Sequence, residues 1–152
     1  MKISAEHFSQ DQYKIEDSVG YLLGRARTKL AKALDLALAE QGITHAQGSI
    51  LLMLATGRYA TAADLTRELY IDSASMTRMI DRLEKRGLII RSRKAGDRRA
   101  IDLRLSPAGQ ELGQRLPRIY ADTLNRSFAG FSPEDLDILK GMLRKLLSDE
   151  TN

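Results

Sequence analysis

Residues 61–105, TAADLTRELYIDSASMTRMIDRLEKRGLIIRSRKAGDRRAIDLRL, decide how this chain folds. Thr61-Ala62-Ala63-Asp64 has the form of a capped helix start, and the short helix it opens turns Ala63, Leu65 and Leu69 inward. The chain turns at Tyr70-Ile71, where Asp72 or Ser73 caps a second helix. Met76, Met79, Ile80 and Leu83 share one face of that helix, and Gly87 is placed to end it as the residue just past its C-cap. Leu88 to Arg93 and Ala100 to Leu105 then read as two strands joined by Lys94-Ala95-Gly96-Asp97-Arg98-Arg99. Ile101, Leu103 and Leu105 alternate with Asp102 and Arg104, the two-residue period of a half-buried strand.

Charge is concentrated in the same stretch. From Ser73 to Arg104 there are ten Lys/Arg against four Asp/Glu, leaving 14 basic and 16 acidic residues elsewhere, so a net +4 hides a local +6. A polyphosphate partner is the reading that this asymmetry favours. Helix, tight turn and helix form a helix-turn-helix when the second helix buries one face and frees the other for the major groove. Here Ser73, Ala74, Ser75, Thr77, Arg78 and Arg82 are left facing outward. The small hydroxyl residues permit close approach to a duplex, and hydroxyls and N-terminal amides bond phosphates. Arg78 either forks onto a guanine edge or grips a phosphate.

Cations on an amphipathic helix describe a solvated face equally well when taken alone. The hairpin tips the balance, because Lys94, Arg98 and Arg99 beside Gly96 suit a minor groove, with Asp97 bracing one arginine. A helix-turn-helix followed by a basic hairpin is a winged helix.

Outward from this core the chain is helical. Apolar residues from Ile15 through Val19, Leu22, Leu23, Ala26, Leu30 and Leu34 to Leu38 keep helical spacing until Gly42. So long a stripe exceeds what one small domain covers and points to a partner chain. Thr44 to Gln47 is a capping box opening a second helix that buries Ile50, Leu51, Met53 and Leu54. Ser106-Pro107 and Ser132-Pro133 open a fifth and a sixth helix, with Pro at the first helical position. Leu112, Leu116, Ile119, Tyr120 and Leu124 line the fifth; Leu136, Leu139, Met142, Leu143, Leu146 and Leu147 line the sixth. The expected fold is mainly α with a small β-hairpin. Residues 1–42 give an arm and a long dimerisation helix, 43–105 the winged helix-turn-helix, and 106–152 the C-terminal dimerisation helices.

Composition excludes several classes. The chain has no cysteine and two histidines, His7 and His45, far apart. Thiol catalysis, disulfides and thiolate zinc sites are closed to it, and no metal or cofactor is expected. With no glycine-rich phosphate loop and no carboxylate pair at an interpretable spacing, catalysis is not expected either. No apolar run approaches the roughly 20 residues that span a bilayer, and no signal-peptide core opens the chain, so the cytoplasm and its nucleoid are the expected location.

Asp72 to Gly87, DSASMTRMIDRLEKRG, followed by Leu88-Ile89 and by Asp97-Arg98-Arg99-Ala100-Ile101-Asp102-Leu103-Arg104-Leu105-Ser106-Pro107-Ala108-Gly109, resembles the MarR (multiple antibiotic resistance regulator) family of bacterial transcription factors. The resemblance spans about residues 15–148. It implies a homodimer with intertwined first, fifth and sixth helices that binds a pseudo-palindromic operator on double-stranded DNA, usually as a repressor. It implies release by a small, often aromatic or phenolic, anion held between the dimerisation helices and the winged helix. By matching position, Arg99 is the wing arginine of the minor groove, Asp97 its orienting carboxylate, and Ser73, Ser75, Thr77 and Arg78 the groove-facing turn. Oxidant sensing through a reactive cysteine, a mode of some members, does not transfer.

For the effector, Tyr21 and Arg25 lie one turn apart on the first helix and His45 opens the second, so the three are a candidate pocket. Arg25 would pair a carboxylate and Tyr21 stack on a ring. Alternatively Arg25 is an ion-pair residue, Tyr21 core and His45 a solvated first-turn residue; Met53 and Tyr70 read as core. The competing functions are an activating or effector-independent regulator, an architectural DNA binder, and a winged helix used for protein contact.

Overall fold

The computed structural model describes residues 7–93 and 101–148. Short 3-10 turns at Gln10–Gln12 and Ile15–Asp17 lead into helix α1, Val19–Leu38. The helix begins four residues later than its apolar spacing suggests. Ser18 is extended, and its hydroxyl accepts the Tyr21 amide at 3.3 Å, so the cap sets the start and Ile15 stays in the preceding turn. A 3-10 turn, Ala39–Gln41, and left-handed Gly42 close that end.

Helix α2, His45–Ala55, starts from the capping box formed by Thr44 and Gln47. Helix α3, Ala62–Leu69, follows, with Thr61 as its cap. Leu65 is its buried residue, and Ala62 packs on the core while Ala63 is exposed, the reverse of the expected phase. Tyr70 ends α3 in the left-handed region at φ 51°, the one non-glycine residue there among those described. That conformation stops the helix and carries the ring outward. Tyr70 is 67% exposed, not core as expected, whereas Met53 does pack against the core.

Helix α4, Ser73–Lys85, is capped by Asp72, whose carboxylate accepts the Ser75 amide at 2.8 Å. Its end is a Schellman motif. The Gly87 amide donates to Glu84 and the Leu88 amide to Leu83, at 2.8 and 2.9 Å, with Gly87 at φ 72°. Strands β1, Ile89–Arg93, and β2, Ile101–Leu105, pair antiparallel in the register Ile89↔Leu105 to Arg93↔Ile101. Leu103 and Leu105 are buried, but Ile101 is exposed because the ribbon has already run past the core there. The Leu103 amide also donates to Ala60 at 2.7 Å, which ties the ribbon to the segment entering α3.

Helix α5, Pro107–Ser127, runs through Pro117, and helix α6 is Pro133–Leu147. Leu38, Ile50, Leu51, Leu65, Met76, Leu83, Ile89 and Leu116 form the inaccessible centre, joining α1, α2, the helix-turn-helix, β1 and α5. Tyr120 on α5 donates its hydroxyl to the His45 carbonyl at 2.8 Å, and burial pushes its phenol above the ordinary range. Helix α6 buries nothing in this core.

Candidate nucleic-acid interface

Packing of α4 by Met76, Ile80 and Leu83 fixes which face it offers. Ser73, Ala74, Thr77, Arg78 and Arg82 are exposed and Ser75 is half-buried, so the expected groove-facing set does share one surface. The first turn is already ordered. Asp72 accepts both the Ser75 amide and the Ser75 hydroxyl, the latter at 2.7 Å, and Arg78 donates to that same hydroxyl oxygen at 3.0 Å. These bonds with Ser75 hold the Asp72 carboxyl below its usual range, the backbone N–H contributing most. The amide and hydroxyl of Ser75 are thus committed to the cap instead of waiting for phosphate. Arg78 rests on this cap on the exposed face of α4.

Two arginines counted in the basic stretch have other work. Arg91 on β1 pairs with Asp81 and, at 3.5 Å, with Glu84, both on α4. This ion-pair cluster braces the ribbon against the helix and removes Arg91 from the charge facing solvent. Arg86 donates to the carbonyls of Gln41 and Gly42. Acids three residues apart on α4 were the available signal for the first tie; the second joins residues more than 40 positions apart and left no pattern. Lys94, Asp97, Arg98 and Arg99 lie outside the described residues.

The effector triad is not assembled. Arg25 donates to the Tyr21 hydroxyl at 3.3 Å and sits 5.8 Å from its ring centre, so these two satisfy each other on the outside of α1. His45 is separate, its ring Nδ1 and backbone N–H both on the Asp35 carboxylate at 2.9 and 2.7 Å. A cavity of about 730 Å³ does open beside His45, between α1, the start of α2, Ile71 and the α5–α6 corner. Its walls include Leu23, Leu30, Phe128, Phe131 and Leu139, and the α1 cation beside it is Arg27. Arg27 follows Leu23 by four residues and precedes Leu30 by three, so helical phase places it, not Arg25, on this face.

Similarity to known proteins agrees with this geometry. A model of the MarR family matches residues 43–101. The organic hydroperoxide resistance transcriptional regulator of Bacillus subtilis is 32% identical over 137 residues, 90% of this chain and 92% of that protein. The chain belongs to the MarR family. It is accordingly a winged-helix, DNA-binding transcriptional regulator. Among solved structures, a mutant MarR from E. coli complexed with operator DNA shares the fold with a TM-score of 0.77 at 24% identity, covering 84% of this chain and 92% of that one. Bordetella bronchiseptica BpsR, whose DNA binding is regulated by 6-hydroxynicotinic acid, aligns with a TM-score of 0.79 at 25% identity over 92% of this chain and 99% of that one. Among the described residues no helix is long and apolar enough to cross a membrane.

Proposed function

We propose that two copies of this chain pair through α1, α5 and α6 and repress a pseudo-palindromic operator in the cytoplasm, letting go when an aromatic or phenolic anion binds. One observation carries the dimer. Helix α6 has no fully buried residue within its own chain: Leu136, Leu139 and Leu143 are half-buried, while Ile138, Met142 and Leu146 are 57%, 66% and 59% exposed. The start of α1 is similarly bare at Val19 and Leu22. A 15-residue helix gains its stability in water chiefly by packing its apolar face, and a second copy supplies a face of the same kind. Pairing also sets two recognition helices about 34 Å apart, one turn of duplex, as two half-sites require.

The cavity beside His45 supports the effector. Its apolar walls suit a ring, the edge-to-face Phe128–Phe131 pair offers an aromatic surface, and Arg27 is the cation suited to an anion. It lies between α1 and α2, so occupancy bears on the angle between the dimer helices and the DNA-binding lobe. Decisive release requires a differential affinity of about 5.5 kcal/mol between the two arrangements. Without a cysteine, no response to hydroperoxides can run through a thiol here.

Genome-wide footprinting of the purified protein tests the reading, followed by competition binding and release assays with a panel of aromatic carboxylates and phenols. The expected preference for a bound promoter over random DNA is ~10³ or more. Equal affinity for both would make the chain an architectural binder. On the wing, Arg99→Ala is expected to weaken operator binding at least tenfold with folding intact, and unchanged affinity would remove Arg99 from the interface.

A further inference from the structure

Arg86 follows the last residue of α4, yet its guanidinium leaves α4 and crosses to the corner that ends α1. There Nη1 donates to the Gly42 carbonyl and Nη2 to the Gln41 carbonyl at 3.1 Å. Carbonyls at a helix C-terminal end lack intrahelical partners and carry the negative end of its dipole, so a forked cation suits both. The fit is close. A Cβ built on Gly42 would lie 3.2 Å from both Arg86 terminal nitrogens. Helix α4 otherwise packs on α3 and β1, whereas α1 packs on α2 and α5. Among the described residues, these two bonds are the direct hydrogen-bonded tie between α4 and the end of α1.

We infer that Arg86 is a positioning residue for DNA binding: it holds the recognition helix at a fixed angle to α1 while touching no DNA itself. The inference rests on the proposed dimer, since α1 then carries that angle to the partner copy and fixes the separation of the two recognition helices. A single lobe meeting a single half-site does not need the tie. Two lobes meeting two half-sites do.

The experiment compares wild type with Arg86→Met on the footprinted operator and on a duplex holding one half-site, across a salt series. The variant is expected to bind the full operator at least tenfold more weakly. Half-site affinity stays within twofold, the salt slope is unchanged, and Arg86→Lys restores part of the loss. Equal loss on both duplexes with a salt slope lower by about one unit would make Arg86 a phosphate contact and overturn the inference. So would unchanged operator affinity. A second readout needs no DNA: spin labels at Lys32→Cys and Thr77→Cys, diluted with unlabelled chain, report the distance from α1 to α4, and the chain has no native cysteine to interfere. Arg86→Met, or Arg86→Lys to a smaller degree, broadens that distance; an unaltered distribution overturns the tie. Absence of any operator preference in wild type would sink the proposed function while leaving the distance measurement to decide Arg86.

Discussion

Adding one methyl group to Gly109 sets a helix preference against a steric conflict, and the structure decides the sign. A Cβ built there would lie 2.0 Å from the Leu88 carbonyl oxygen and 3.0 Å from its carbon. An unstrained carbon–oxygen contact needs about 3.3 Å, so α5 must retreat by roughly 1.3 Å. The neighbours resist. The same carbonyl accepts the Ser106 amide at 3.1 Å, and Ser106 Oγ donates to the Gly87 carbonyl while accepting the Gly109 amide at 3.0 Å. Overpacking costs about 1–3 kcal/mol and each loosened hydrogen bond about 1, against a helix-propensity gain of at most about 1 for Ala over Gly. Gly109→Ala is therefore expected to destabilise by about 2 kcal/mol, lowering Tm by roughly 4–8 °C for a chain of this size. Four residues on, a Cβ at Gly113 would sit at ordinary contact, 3.7 Å from Leu105 and 4.0 Å from Ala55. There the propensity term stands alone, and Gly113→Ala is expected to raise Tm by about 2–4 °C. Thermal unfolding of both variants at one fixed protein concentration makes the comparison, since a dimer's midpoint shifts with concentration. A Gly109→Ala protein as stable as wild type would refute the argument.

Arg78→Ala is expected to relax base preference if the guanidinium reads a guanine edge, or to weaken all sequences evenly and flatten the salt slope by about one unit if it holds a phosphate; titrations at several salt concentrations against point-altered operators tell the two apart. Deleting residues 133–152 is expected to turn the dimer into monomer or aggregate, and sedimentation showing an intact dimer would refute the role given to α6. Asp35, Asp64 and Asp72 all titrate below the ordinary 3.8 in the folded chain. For Asp35, burial pushes the other way, and the bonds from the His45 amide and ring together with the His45 charge outweigh it. Depressed carboxylates bind fewer protons folded than unfolded, so their contribution is present above about pH 4 and fades as pH falls through 3.8 and below. Urea midpoints are expected to drop between pH 5 and pH 3, and Asp35→Asn to make that drop shallower.

The helix-turn-helix and ribbon were legible because their signals are local. The caps at Thr61 and Asp72 and the Schellman glycine at 87 each report on a few neighbouring residues and stand where they were read, and the strand alternation holds at Leu103 and Leu105 but not at Ile101. Errors fell where one residue admits two phases. Ala62 and Ala63 are interchangeable to a hydrophobic pattern, and only the packing of α3 chooses between them. Tyr70 is apolar enough for a core, but the turn requires a left-handed residue there and turns its ring to water. The effector triad failed for a sharper reason. Tyr21 and Arg25 are one turn apart and can satisfy each other, so their proximity on α1 carried no information about a third residue on α2. Charge counting failed in the same way at Arg91, since a tally cannot tell a cation facing DNA from one answered by Asp81 across the fold. Such ties also give the basic stretch its shape. Arg91 fixes the ribbon to α4, and Arg86 fixes the end of α4 to the corner that closes α1, so ribbon and helix are referenced to α1 through that one corner. Under the proposed function, a ligand that shifts α1 would act on α4 through the two hydrogen bonds of Arg86.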